Sequence, residues 1–417
     1  MDKSFSRVLI IGFVWPEPGS SAAGRRMMQL ITFFRAQNCD ITFASTARKS
    51  EFSSDLTRLG IRSESIKVND SGFDDFVKKL SPDLVIFDRF MTEEQFGWRV
   101  HDQCPDALRI LDTEDLHCLR HAREMCIKNG CDNIREYLMS EIAKREIASV
   151  YRSDLSLIIS ESEINILRDV FNVPYDILYY LPYMSDSITE KSAGNWPDFN
   201  DRSGFMTIGN FHHKPNLDAV KYLRTDIWPL ILKLKPDAIM NVYGAYPTQQ
   251  VREWHQPSEG FFIHGRAANA NEVMRASRVC LAPLRFGAGL KGKLVEAMQN
   301  GTPSITTTLG AEGIAGILPW PGSIADKPVE FAEAAVHLYH DKGDWKQAQF
   351  RGREIINKRF SKKRFQNEFL LRLKGVIKEL KSHRESNFTG AMLMHHLMAS
   401  TRFMSKWIEA KNKPSDK

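Results

Sequence analysis

The feature that most constrains this chain is a rhythm of short, continuously apolar runs separated by segments of helical period, interrupted once and then resumed. RVLIIGFVW, CDITFAS, PDLVIFDRF, ALRILDT and LSLIIS all fall in the first part of the sequence. Apolar runs without polar alternation suit strands buried on both faces, as in a parallel sheet covered by helices. The small-residue loop PEPGSSAAG joins the first run to the helical RRMMQLITFFRAQ, so the chain opens with a strand, loop, helix, strand unit. After YYLPYM it turns polar and irregular through SDSITEKSAGNWPDFNDRSG, the composition of a linker. FMTIGN, AIMNVYG, GFFIHG, RVCLAP and PSITTT then restart the alternation, with no repeat visible between the halves. The expectation is an α/β chain of two doubly wound domains, residues 1–190 and 200–360. Residues 361–417, which open with SKKRFQNEFLLRLKGVIKELK, read as C-terminal amphipathic helices with a basic tail.

The 417 residues allow two or three domains with sizeable cores, and 42% hydrophobic against 26% charged residues excludes the disordered class. Lys and Arg number 57 against 51 Asp and Glu, a net charge of +6 whose mild basic bias is compatible with an anionic ligand, an acidic membrane surface or neither. The basic residues are scattered, without zinc-finger spacing, an aromatic RNA-binding motif or a long Lys/Arg block, so no nucleic-acid partner is expected. Cysteines without CxxC pairs, and no secretory signal ahead of them, point to a reduced, cytoplasmic setting. His117, Cys118, His121, Cys126 and Cys131 could be drawn together as a metal cluster, but their spacing matches no zinc template, and no metal site is expected. No apolar run reaches the roughly 20 residues of a membrane span. NFTGAMLMHHLMASTRFMSKWIEA, apolar on one side and basic at its ends, reads first as a helix packed on the domains; the other reading is peripheral contact with the inner membrane face through the C-terminal tail.

FGAGLKGKLVEAMQNGTP, residues 286–303, sets a loop of small residues before a short helix that starts with lysines, from about Leu290. A helix N-terminus already carries about half a positive charge and unpaired N–H groups, so Lys291 destabilises it unless an anion lies close by. On a helical wheel Leu290, Leu294, Ala297 and Met298 share one face and Lys293, Glu296 and Asn300 the other, with Lys291 on the apolar side. Ligands of open α/β sheets bind at the carboxyl ends of the strands. Those ends bring residues 16–24, 112–121, 209–216, 244–247, 265–269, 285–293 and 308–314 to a cleft between the domains. LDTEDLHCLRHAR, residues 111–123, concentrates Asp112, Glu114, Asp115, His117 and Arg120 there, either as a site loop or as a network of helix caps and ion pairs. GxGxxG is absent, which counts against a dehydrogenase.

IGNFHHKPNLDAVKYLRTDIWPLI, MNVYGAYP, APLRFGAGLKGKLVEAMQNGTPSITTTLGAEGI and the N-terminal GFVWPEPGSSAAGRR resemble the retaining glycosyltransferases of the GT-B fold, specifically glycosyltransferase family 4. The resemblance is continuous from about Gly204 to Ile314 and looser in the N-terminal half. It implies two Rossmann-like domains facing across a cleft, with a nucleotide-diphosphate sugar held mainly by the second. It also implies transfer to a hydroxyl of a glycan or lipid-linked acceptor, with retained anomeric configuration and neither cofactor nor obligatory metal. A cell-surface polysaccharide or glycoconjugate pathway follows by resemblance alone.

The anion that Lys291 asks for is then the donor pyrophosphate. The backbone N–H groups of Gly287, Ala288 and Gly289 would approach it, and Lys291 would offset the charge developing on the leaving nucleotide. Glu296 matches the family glutamate that accepts hydrogen bonds from the nucleotide ribose. Gly19, Ser20, Ser21 and Gly24 form the N-terminal loop facing donor phosphate and acceptor. Gly209 and Asn210 stand where many relatives carry a phosphate-binding arginine after the strand glycine, and His212, His213, Lys214, Arg266 and Arg285 are candidates to take over that contact. Asp112, Asp115 and His117 are acceptor-side candidates, so Lys291, His117 and Asp112 are expected to act in catalysis. One departure stands out: Ala288 occupies the position of a second family glutamate, a variation shared by a subset that keeps GAG, two lysines and EA. The competing readings are a non-catalytic subunit of a glycan-assembly complex and a sugar-nucleotide epimerase or hydrolase on the same fold.

Overall fold

A computed structural model describes residues 5–131 and 133–412. Seven parallel strands form the first sheet: β1 (Arg7–Gly12), β2 (Asp40–Ser45), β3 (Arg62–Ser65), β4 (Leu84–Asp88), β5 (Leu108–Asp112), β6 (Leu155–Ile158) and β7 (Leu178–Tyr180). Their order is β3-β2-β1-β4-β5-β6-β7. The second sheet has six: β8 (Phe205–Ile208), β9 (Met240–Tyr243), β10 (Phe261–Gly265), β11 (Val279–Ala282), β12 (Ser304–Thr306) and β13 (Gly322–Ile324), in the order β10-β9-β8-β11-β12-β13. Each order reverses once, between β1 and β4 and between β8 and β11, and a crevice opens outside the carboxyl ends of the strands at such a reversal. The two lobes turn these ends toward each other, which is the GT-B arrangement.

The apolar runs behave as strands buried on both faces should. In β1, Val8 and Ile10 point into one layer of the core and Leu9 and Ile11 into the other, all at 1% exposure or less. Edge strand β3, RSES, has no apolar residue and is exposed at three of its four positions, so no apolar run announces it.

Among the helices of the described residues, those that bear on the site and on the C-terminal segment are α1 (Ala22–Ala36), α2 (Phe90–Gln103), α3 (His117–Asn129), α4 (Glu141–Arg152), α5 (Gly292–Gln299), α6 (Lys342–Arg359), α7 (Lys362–Lys378), α8 (Leu380–Ser386) and α9 (Phe388–Asn412). Helix α6 lies against α5, where Gly352 meets Met298. The chain then crosses back to the first lobe through backbone hydrogen bonds between Ser185 and both Phe360 and Lys362. Phe365, Phe369, Leu373 and Val376 recur at helical spacing along α7 and enter the first lobe's core beside Phe33 and Phe34. Arg384 on α8 donates to Asp154 at 2.7 and 2.8 Å, and Asn387 donates to the carbonyl of Tyr151 at 2.7 Å. Residues 361–412 thus complete the first lobe rather than forming a third unit. Residues 413–417 of the basic tail lie outside the described residues. Among the described residues no helix is long and apolar enough to cross a membrane.

Candidate active site

A cavity of about 680 Å³ lies between the strand ends of the two lobes. Its second-lobe wall is the loop before α5. Gly287 and Gly289 have φ of +150° and +62°, where a side chain is strained, and a Cβ on Gly289 would also lie 2.9 Å from that of Asp115. Helix α5 begins at Gly292, two residues later than expected, and Lys291 is its N-cap residue. The Lys291 ammonium is buried, donates to the carbonyl of Gly289 at 2.9 Å and lies 3.7 Å from Glu312. Burial lowers its pKa to about 8, against the pull of Glu312. Arg123 on α3 braces the loop from the opposite lobe, donating to the Gly287 carbonyl at 2.8 Å and to both oxygens of Glu312 at 2.9 and 2.7 Å.

One expectation for this loop changes. The amide of Gly289 donates to the buried carboxyl of Glu163 at 2.9 Å, so it is already engaged; those of Gly287 and Ala288 have no acceptor among the described residues. Burial raises Glu163 to about 8, Asp115 adding to the effect, which makes it a largely protonated acid at neutral pH.

Glu296, one turn into α5, contacts Arg25 of α1 across the cleft, while its Oε2 is buried without a partner. A carboxylate with one oxygen spare at the edge of a cavity fits a hydroxyl donor from a ligand. Lys293 lines the same wall and donates to Asn216 at 2.9 Å; burial lowers it to about 8. The helical wheel grouped Lys293 with Glu296, but only the opposing lobe turns that face into a site wall. Gly209 leaves room for this pair: a Cβ there would stand 2.7 Å from the Asn216 amide and 2.9 Å from Lys293 Nζ. Asn210 and His213 line the cavity, and the Asn210 side chain accepts from the His212 amide at 2.8 Å.

On the first-lobe wall, Gly19 and Ser20 line the cavity, with Arg266 reaching over Phe52 at 4.4 Å toward Ser20. Tyr246 donates to Glu17 at 2.9 Å and so ties the two lobes together. His117 lies with Nε2 3.6 Å from Asp115. Burial lowers its pKa to about 3 despite Asp115, so the imidazole is neutral at physiological pH. Burial works against the Asp115 carboxylate, yet the Arg120 guanidinium holds it well below the usual range. The backbone N–H groups of His117 and Cys118 donate to Glu146 at 2.9 and 2.8 Å, which fixes the start of α3.

Four candidates do not reach the cleft, among them Lys214, which is exposed and pairs with Glu124 at 3.2 Å. Asp112 is fully buried behind the wall, where Arg26 grips it at 2.9 and 2.8 Å; the pair locks α1 to the end of β5. Arg285 turns away, pairs with Asp218 at 2.9 Å and covers the Tyr222 ring. Gly24 is a packing position, because a Cβ would come within 2.5 Å of the Glu17 backbone. Among the described residues His117, Cys118, His121, Cys126 and Cys131 do not converge on a metal-sized centre; the grouping that does, His337, Asp341 and Asp344, is exposed on the second lobe away from the cavity. Arg25, Glu163, Lys293, Arg123 and Glu312 do not stand out as site residues in the sequence, since each acquires its place from a contact far along the chain, and Arg89 enters the site only through the fold that turns it into the cavity.

Residues 202–341 match the family described as "Glycosyl transferases group 1". An uncharacterized 44.6 kDa protein in the cps region of Klebsiella pneumoniae is 23% identical over 172 residues, 39% of this chain and 44% of that relative's length. Among solved structures, Anabaena HepE in complex with UDP-glucose is similar with a TM-score of 0.66 at 12% identity, over 88% of this chain and 99% of that one. TarM of S. aureus, in complex with fondaparinux, alpha-GlcNAc-glycerol and UDP, has a TM-score of 0.56 at 13% identity, over 72% of this chain and 57% of that one. The chain therefore has the GT-B glycosyltransferase fold, and the match of its second lobe supports a group 1 glycosyltransferase.

Proposed function

We propose that the protein is a retaining, family 4-type glycosyltransferase that moves a sugar, of hexose type, from a nucleotide diphosphate to an acceptor hydroxyl. The observation that carries this reading is one turn of α5: a buried lysine at its N-cap, two open amides before it, and a buried carboxylate oxygen without a partner one turn on. Diphosphate and ribose are the two halves of a ligand that would satisfy them together. UDP or UDP-glucose in the complexes of HepE and TarM supports the same assignment by fold. The similarity to a protein of a cps region favours polysaccharide assembly as the setting.

In this reading Glu296 exchanges Arg25 for the ribose hydroxyls, and Lys291 with the amides of Gly287 and Ala288 stabilises the leaving diphosphate. No protein carboxylate is placed as a nucleophile, so the leaving phosphate itself accepts the proton of the attacking hydroxyl on the same face of the sugar. Neutral His117 and the bound acid Asp115 then orient sugar or acceptor rather than exchange protons. The charge work falls to lysine and amides, so no metal is needed.

The test is binding of UDP, GDP, ADP and dTDP, with their sugar conjugates and no added metal, followed by transfer assays with the nucleotide that binds. One base should bind, and Glu296→Ala should weaken it on the order of tenfold or more, the loss of a hydrogen bond to a charged group. Binding unaffected by Glu296→Ala would sink the assignment. Donor consumption without acceptor would favour an epimerase or hydrolase, and no nucleotide binding would favour a non-catalytic subunit.

A further inference from the structure

Arg89 joins β4 to α2 on the first-lobe wall with φ 71° and ψ 158°, a backbone conformation that glycine adopts and other residues almost never do. A bulky cation kept at such a position calls for a use of that cation. The guanidinium lines the cavity, yet its side chain makes no hydrogen bond to any described residue. The nearest carboxylate, Asp88, is 3.9 Å away and accepts instead from the amide of Phe13 at 3.0 Å. Of the other acids nearby, Asp112 is taken by Arg26 and Asp115 by Arg120, while Glu114, which lines the same cavity, is pushed well above the usual carboxylate range by burial and by Asp112 and Asp88, and so offers the guanidinium little charge. An arginine with a free fork of donors in a cleft is suited to a planar or tetrahedral oxyanion. Beside it stand exposed apolar groups: the guanidinium lies 5.0 Å from the Phe13 ring, and Phe13 and Val14 are 43% and 45% exposed at the mouth.

We infer that Arg89 is the anion-binding residue of an acceptor subsite, and that the acceptor carries a phosphate or carboxylate group next to an apolar segment. Arg89 receives the anion, and Phe13, Val14 and Met91 receive the apolar part. The inference rests on the glycosyltransferase reading for the word acceptor, while the anion site itself stands on the geometry alone.

The experiment titrates the full chain, with UDP present at saturation so that the diphosphate site is filled, with octyl phosphate below its micelle concentration, inorganic phosphate and octyl glucoside. Octyl phosphate should bind more tightly than inorganic phosphate, and octyl glucoside should bind at least tenfold more weakly. Arg89→Gly and Arg89→Gln should each lose octyl phosphate binding at least tenfold while keeping UDP affinity. Arg89→Gly should melt no lower than the wild type, because glycine fits the backbone there, an outcome that a purely structural arginine would not give. Inorganic phosphate binding as tightly as octyl phosphate, with the same dependence on Arg89, keeps the anion site and assigns it to a free anion. Octyl phosphate binding unchanged in both variants, or matched by octyl glucoside, overturns the inference. Arg89-dependent octyl phosphate binding in a protein that does not bind UDP leaves the anion site standing and removes the donor reading instead.

Discussion

Replacing Lys291 by methionine should make the protein more stable and less active. Burial lowers the lysine from its ordinary 10.5 to about 8. Between those values the unfolded chain holds a proton that the folded chain has released, so stability rises with pH over that window. Below pH 8 the buried ammonium costs the fold about 3 kcal/mol, at about 1.36 kcal/mol for each unit of pKa. Methionine fills similar space without the charge and recovers up to that amount, less the hydrogen bond to Gly289. With an unfolding entropy of about 2.1 cal/mol/K per residue, a gain of about 3 kcal/mol raises Tm by about 3 °C. At pH 9.5 most of the folded wild type is already deprotonated there, and the advantage should shrink to about 1 kcal/mol. Calorimetry of both proteins at pH 7 and 9.5, beside turnover with the cognate donor, tests this. Turnover should fall by about 10² or more, as for loss of an oxyanion donor. A variant that melts lower at pH 7, or a difference in Tm independent of pH, would refute the reasoning.

Asp112→Ala should cost about 3 to 5 kcal/mol in urea unfolding, because it leaves Arg26 buried and unpaired; near wild-type stability with abolished activity would show a direct part in the chemistry instead. Glu163 carries a proton in the folded state up to about pH 8, with burial as the main cause, so its contribution is fully present below the unfolded pKa and is lost as pH rises through 8. From pH 6.5 to 8 this amounts to about 1.5 kcal/mol, and Glu163→Gln should flatten that limb of the stability profile; an unchanged slope in calorimetry would assign it to other groups. Arg123→Ala removes the brace on Gly287 and Glu312 and should lower kcat by on the order of 10² through misplacement of the loop, with a smaller change in nucleotide affinity; equal losses in steady-state kcat and in measured affinity would contradict a positioning role.

The sequence by itself determined the layer architecture. Continuous apolar runs such as LVIFD have no solvent face to offer, so they must be central strands of a parallel sheet covered on both sides, and the polar linker before Phe205 separates two such sheets. It also singled out the loop before α5, because Gly287 and Gly289 with a lysine after them form a local pattern that stands out without a partner, and that loop lines the cavity. What needed the tertiary structure was everything decided by a charge meeting another across the chain. Asp112 and His117 look alike in LDTEDLHCLRHAR, yet Asp112 ends β5 facing α1 and is consumed by Arg26, while His117 opens α3 at the cleft. The same holds for the C-terminal segment, whose amphipathic pattern fits any apolar surface until α7 is seen filling the core beside Phe33 and Phe34. Periodicity along a chain reports which faces must be buried, because burial depends on each residue's own chemistry; the identity of the partner depends on sequence separations of 86 residues for Arg26 and Asp112 or 189 for Arg123 and Glu312, and only the fold closes those distances.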